Sequence, residues 1–258
     1  MLDVIPVTAF EDNYIWLLAD RSTGFAACVD PGDAEPVLAA LREQNLKLCA
    51  ILITHHHGDH TGGVKDLLKT FPVPVYGPAR EAIADVTHRL KGDDTITLPP
   101  LSATFEIIDV SGHTNGHIAY FGHDMLFCGD TLFSAGCGRM FEGTPEALLD
   151  SLERLGGLPF DTRVYCGHEY TLSNLQFAKT VEPQNEEIDK YQAWCVAQRA
   201  CHLPTLPSTI GLERHVNPFL RCGQPRVKES AARHAGRDLP TNVNVFATLR
   251  SWKDGFRG

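Results

Sequence analysis

Thr54-His55-His56-His57-Gly58-Asp59-His60, which follows the apolar run Leu48-Cys49-Ala50-Ile51-Leu52-Ile53, is the stretch from which the fold can be read. Imidazoles this dense, with a carboxylate among them, repel one another when protonated and are costly to dehydrate unless held neutral and oriented. A divalent metal ion does both. The run before them reads as a buried strand, and Gly62 to Phe71, with Val64, Leu67, Leu68 and Phe71 at helical spacing, reads as a helix. The cluster then lies on the turn leaving a strand, with Gly58 and Gly62 expected to keep that turn tight. His55 and His57, two apart in extended chain, point the same way. Asp59 and His60 lie beyond the glycine and can face a second point. His56 points away from its neighbours, and its expected role is packing or hydrogen bonding.

Working outward, a chain of 258 residues that is 43% hydrophobic can bury one large core, or one core and a small appended domain. A net charge of -9 excludes a nucleic-acid role resting on a basic surface, so an anionic ligand would need a local basic patch. The first residues lack a basic flank followed by a long apolar core, and no apolar stretch approaches a membrane span. The expectation is a soluble, cytoplasmic monomer with no membrane or nucleic-acid partner. The 8 cysteines form no Cys-x-x-Cys pair, and several lie in apolar runs, so buried reduced thiols are expected in place of disulfides.

The segments before the cluster read as a small antiparallel meander: Val4 to Val7, Tyr14 to Leu18 and Phe25 to Asp30. A helix from Glu35 to Gln44 returns the chain to the Leu48 strand. After the cluster come a strand at Val73 to Tyr76, a helix near Ala79 to Ala84, and strands at Thr95 to Leu98 and Thr104 to Val110. Three strands then end alike: Phe105 to Ser111 runs into Gly112-His113, Met125 to Cys128 into Gly129-Asp130, and Arg163 to Cys166 into Gly167-His168. In each, a glycine frees the backbone where a strand stops and a potential ligand follows. Thr144, as N-cap, and Pro145 start a helix through Leu155. After Tyr170 the pattern is helical, over about Leu172 to Val181, Asn185 to Cys201, Arg226 to Ala235 and Asn242 to Trp252. A domain boundary is therefore expected near 170, dividing a strand-rich domain, 1–169, from a helical domain, 170–258.

The candidate ligands form two sets. His55, His57 and His113 would hold one metal ion, Asp59, His60 and His168 a second, and Asp130 has two carboxylate oxygens with which to bridge them. All donors are nitrogen or oxygen, a set that admits zinc, iron or manganese without choosing among them; two divalent ions per chain are expected, with zinc placed first. Such a pair lowers the pKa of water to about 7 and polarises a carbonyl under attack.

With these residues in hand, the chain resembles the metallo-β-lactamase superfamily through Thr54 to His60, with His113, Asp130 and His168 in that superfamily's order. Within it, the chain resembles the glyoxalase II (hydroxyacylglutathione hydrolase) family. Phe127 to Phe133, Gly136 to Thr144, Tyr165 to Thr171, Asn217-Pro218-Phe219 and Arg250-Ser251-Trp252-Lys253 carry that narrower likeness. The resemblance implies an αββα sandwich with a C-terminal helical domain. It also implies hydrolysis of S-D-lactoylglutathione and related S-2-hydroxyacylglutathiones to D-lactate and glutathione by a metal-bridging hydroxide, the second step of methylglyoxal detoxification. Asp59 would orient the hydroxide.

A thioester expels a weakly basic thiolate and hardly needs a general acid, which fits a chain that offers none apart from the ligands. The family's glutathione-binding residues match Arg139, Phe141, Tyr170, Arg250 and Lys253. Some members carry Lys and Tyr where this chain has Arg139 and Phe141. Arg keeps the charge, but Phe141 cannot donate a hydroxyl hydrogen bond. The alternative is a glutathione persulfide dioxygenase of the same superfamily with mononuclear iron, which would need no second ligand set. A non-catalytic metal-stabilised module and a hydrolase for nucleic acid or lactones fit less well.

Overall fold

The computed structural model describes residues 2–257, which form two compact units. One comprises the chain up to Val110 together with Asn115–Gly129, the other Ser111–Thr114 together with the chain from Asp130 onward.

In the first unit, strands β1 (Leu2–Ala9), β2 (Asn13–Asp20) and β3 (Phe25–Val29) form the expected antiparallel meander. Helix α1 (Ala34–Glu43) then returns the chain to β4 (Lys47–Leu52), which pairs parallel to β3. The short α2 (Gly58–Thr61) and α3 (Val64–Thr70) lead to β5 (Val75–Pro78) and β6 (His88–Leu90), both added in parallel. Every residue of β2 is buried, as a strand covered on both faces requires. One face, with Ile15, Leu17, Cys28 and Ile51, packs with Val37 and Leu41 of α1 and Val64 and Leu67 of α3. A second antiparallel set follows: β7 (Thr95–Leu98), β8 (Ala103–Asp109), β9 (Ile118–Gly122) and β10 (Met125–Gly129). Tyr120 of β9 ties the two sheets together by donating its hydroxyl to the Ile53 carbonyl at 2.9 Å.

The helix expected near Ala79 to Ala84 is absent. Residues 79–87 run as short turns and irregular chain, with Asp85 at φ 64°. Two interactions of Glu81 compete with a helix there: its Oε1 accepts the Gly116 amide at 3.2 Å, and its Oε2 meets His56 Nδ1 at 3.0 Å. Such specific tertiary bonds outweigh the weak propensity of a short segment.

The second unit opens with a hairpin of β11 (Leu132–Phe133) and β12 (Gly136–Cys137). Helix α4 (Pro145–Gly156) begins as expected, with Thr144 Oγ1 accepting the Ala147 amide. Strand β13 (Arg163–Cys166) precedes α5 (Thr171–Val181) and α6 (Glu186–Ala200). Strand β14 (Ser208–Thr209), antiparallel to β13, interrupts the helical run, and the sequence pattern gave no sign of it or of α7 (Ile210–Val216). Helices α8 (Pro225–Ala235) and α9 (Asn242–Gly255) complete the unit. Leu175 and Ala178 of α5, Ile188, Tyr191 and Cys195 of α6, and Val216 of α7 share a core with Ala135. All eight cysteines are unpaired; Cys201 is exposed and Cys49 half-buried, and the others are buried.

Candidate active site

The histidine motif begins where β4 ends, and a residue from the end of β3 fixes it. Asp30 accepts the Thr54 amide on Oδ1 at 2.8 Å and the Thr54 hydroxyl on Oδ2 at 2.7 Å. His60 Nδ1 lies 3.0 Å from the same Oδ2. A carboxylate can only accept here, so the His60 proton sits on Nδ1 and Nε2 presents a lone pair. Thr54, its own proton committed to Asp30, lies 3.1 Å from His55 Nδ1 and can only accept there, which leaves the His55 lone pair on Nε2. His55 Nε2 and His57 Nδ1 stand 3.0 Å apart. Two donors on one tetrahedral ion at about 2.0–2.1 Å lie about 3.3 Å from each other, so the pair fits a shared metal.

Asp59 Oδ2 is 3.5 Å from His60 Nε2 and accepts Asn13 Nδ2 at 2.9 Å. His56 turns away from this group to Glu81, in keeping with the hydrogen-bonding role expected of it. Gly58 is not needed for tightness, since a Cβ there would meet open space. At Gly62 a Cβ would lie 2.7 Å from the Gly32 carbonyl oxygen.

The later ligands follow the strand-end device in detail at two positions. Gly112 holds φ 141°, and a Cβ would lie 2.5 Å from Leu148 Cβ of α4; His113 follows directly. Gly129, at φ 48°, approaches Thr54 so closely that a Cβ would lie 2.3 Å from its hydroxyl oxygen, and Asp130 follows. Within the second unit, His113 Nδ1 lies 2.8 Å from the Arg139 carbonyl and must donate to it, so its Nε2 carries the lone pair. Asp130 Oδ2 stands 3.6 Å from His113 Nε2 and 3.3 Å from His168 Nε2. One carboxylate oxygen thus serves two imidazole nitrogens, the disposition a bridging ligand needs. Tyr170 stacks on His168 with ring centroids 4.8 Å apart, and Phe133 meets the same imidazole edge-on at 5.8 Å.

His113 and Asp130 line a cavity of about 460 Å³ whose wall also carries Arg139, Tyr170, Arg250 and Lys253. Phe141, another wall residue, is 62% exposed and meets His113 edge-on at 5.3 Å. Arg250 is 3% exposed, lies over the Phe219 ring, and donates to the Cys137 carbonyl at 2.8 Å. Its Nη2 pairs with Asp254 at 3.1 Å, while its buried Nε has no hydrogen-bond partner among the described residues. Lys253 donates to the Ser173 carbonyl at 2.9 Å. Burial first, then the charges of Arg250 and Arg139, pull the Lys253 ammonium down to about 8.

Sequence reading missed Asp30, Asn13, Glu81 and Asp254. The only available signal was for Asp30, which ends its strand before Pro-Gly much as Asp130 follows β10.

The donors held by protein acceptors, on mixed α/β sheets, define a protein of the metallo-β-lactamase class. A family model for the metallo-β-lactamase superfamily matches residues 10–168, and one for the hydroxyacylglutathione hydrolase C-terminus matches residues 169–256. The chain is 52% identical over 258 residues to the hydroxyacylglutathione hydrolase of Nitrosomonas europaea, covering 100% of this chain and 98% of that one. It is 54% identical over 258 residues to that of Aeromonas hydrophila, covering 99% and 100%. Among solved structures it is similar to TTHA1623 in a di-iron-bound form, at TM-score 0.59 and 28% identity over 83% of this chain and 99% of that one. The chain belongs to the hydroxyacylglutathione hydrolase family of the metallo-β-lactamase superfamily.

Proposed function

We propose that this chain hydrolyses S-D-lactoylglutathione, and related S-2-hydroxyacylglutathiones, to the 2-hydroxy acid and glutathione. The observation that carries the reading is the cavity of the second unit, where His113 and Asp130 share a wall with Arg139, Arg250 and Lys253. A glutathione thioester brings an anionic peptide and a reactive carbonyl in one molecule, and such a cavity can take both. The family relationship supports the hydrolase over a persulfide dioxygenase, because the relatives at about half identity bear the hydrolase name.

We assign His55, His57 and His113 to one divalent ion and Asp59, His60 and His168 to a second, with Asp130 between them. Zinc is the first candidate, with iron or manganese as alternatives; a donor set of nitrogen and oxygen fits all three. When bound, the ions supply a nucleophile at neutral pH and polarise the thioester carbonyl.

The chain's own residues do the rest. Asp30, Thr54 and the Arg139 carbonyl hold His60, His55 and His113 in their ligating tautomers. Asp59, its carboxylate fixed by Asn13, orients the attacking water. Arg139, Arg250 and Lys253 hold the glutathione carboxylates, Tyr170 offers a phenol, and Phe141 contributes only an apolar surface. The leaving thiolate departs without a general acid. By this reading residues 1–169 carry the metal chemistry and 170–258 most of the substrate binding. The enzyme works as a cytoplasmic monomer in the second step of methylglyoxal detoxification. No helix among the described residues is long and apolar enough to cross a membrane.

Incubation of the metal-replete protein with S-D-lactoylglutathione tests this. Loss of thioester ultraviolet absorbance with release of D-lactate is the expected result. No turnover would sink the reading, and oxygen consumption with glutathione persulfide would favour the dioxygenase.

A further inference from the structure

A buried carboxylate in the second unit holds the hairpin that walls the cavity. Glu213 of α7 is 0% exposed. Its Oε1 accepts the Ser134 hydroxyl at 3.0 Å, and its Oε2 accepts the Ala135 amide at 2.8 Å and Asn217 Nδ2 at 3.0 Å. Asn217, one turn further along the chain, gives the same side-chain amide to the Gly136 carbonyl at 2.8 Å and the Phe133 carbonyl at 3.2 Å. Each residue from Phe133 to Gly136 is therefore tied to this pair. Ala135 sits at φ 54°, a left-handed conformation that an L residue with a Cβ leaves unless it is held.

A carboxylate in such a place is an expensive choice if packing were its only purpose. Burial pushes the Glu213 carboxyl above the usual carboxylate range, despite the hydrogen bonds it accepts from Ala135, Asn217 and Ser134. An apolar side chain could fill the volume, but only paired acceptors can hold an amide and a hydroxyl of one turn in fixed register.

What that turn carries explains the need. Phe133 and Cys137, one on each strand of the hairpin, line the cavity. The Cys137 carbonyl receives Arg250 Nη1, and Arg139, two residues on, places its side chain in the cavity and its carbonyl against His113. We propose that Glu213 and Asn217 are positioning residues for the substrate cavity: by fixing the Phe133–Gly136 turn they set where Arg250 and Arg139 stand. The proposal rests on reading that cavity as the glutathione site.

Glu213→Leu removes both acceptors, whereas Glu213→Gln keeps an oxygen for the Ala135 amide. In Glu213→Leu the KM for S-D-lactoylglutathione should rise about tenfold, with kcat within about threefold of wild type. Affinity for S-methylglutathione, titrated calorimetrically, should weaken by the same factor, and Glu213→Gln should restore most of both. A folded Glu213→Leu protein with wild-type KM and affinity would overturn the proposal. Should that variant fail to fold, Ser134→Ala deletes a single donor and should raise KM about threefold; an unchanged KM there overturns it equally. Wild-type protein that neither turns over the thioester nor binds S-methylglutathione would sink the hydrolase reading and this proposal with it. Wild-type protein that does both, beside variants that do not differ from it, would sink the positioning role alone.

Discussion

The backbone carbonyl of Arg139 accepts the Nδ1 proton of His113 at 2.8 Å, while the Arg139 side chain stands in the substrate cavity. In the proposed reading one residue serves a metal ligand through its main chain and the substrate through its side chain, two duties that mutation can separate. Arg139→Ala keeps the carbonyl and loses the cation. It should raise KM about tenfold with little change in kcat, as removal of uniform binding does. Steady-state kinetics with metal content measured in parallel checks this; a large fall in kcat would place Arg139 in the chemistry.

Lys253 introduces a pH dependence. Its ammonium is depressed to about 8 by burial and by the neighbouring Arg250 and Arg139. Below that value it is charged and can hold a substrate carboxylate; above it the charge is lost. Since kcat/KM reports groups of the free enzyme, it should fall as pH rises through about 8. Lys253→Arg, which stays charged, should flatten the profile across that range. An unchanged alkaline limb in the arginine variant would remove Lys253 as its source.

Asp30 accepts three hydrogen bonds that an amide cannot match, because Asn presents only one oxygen to the donors of Thr54 and His60. Asp30→Asn should weaken metal affinity about 10–100-fold, the usual cost of losing an outer partner of a ligating histidine. Competition against a chromophoric chelator measures it directly. Wild-type affinity would show that Asp30 does not orient His60 for metal.

Asp130 is the residue on which the two-ion assignment turns. Asp130→Ala removes the oxygen that stands between His113 and His168, and turnover should fall at least about a thousandfold. Metal analysis should show loss of bound ion alongside. Near-normal activity would refute the bridging role.

Much of this is legible in the sequence. The Thr54 to His60 run declared a metal centre because its residue types have little else in common, and the glycines before His113 and Asp130 could be seen at strand ends. Helix α4 could be placed from its Thr144 cap and Pro145. The helix near Ala79 was misread because the segment's apolar spacing says nothing of Glu81, whose partners are 25 and 35 residues away in sequence. Asp30 escaped notice for a similar reason: a single acid after a strand is ordinary until its three donors converge on it. Nothing in the local pattern around Arg250 marks it as buried, and its packing over Phe219 appears only in the fold. Long-range partners, not local pattern, decide such positions.

Arg250, Lys253 and Asp254 lie together on one turn of α9, and no proposed metal ligand lies on that helix. In the proposed reading, the share of recognition that this turn carries is separable from reactivity, whereas Arg139, whose carbonyl holds His113, joins the two. A few changes confined to that turn could carry the enzyme toward thioesters of a different carrier thiol, leaving untouched the histidines and aspartates that would cleave them.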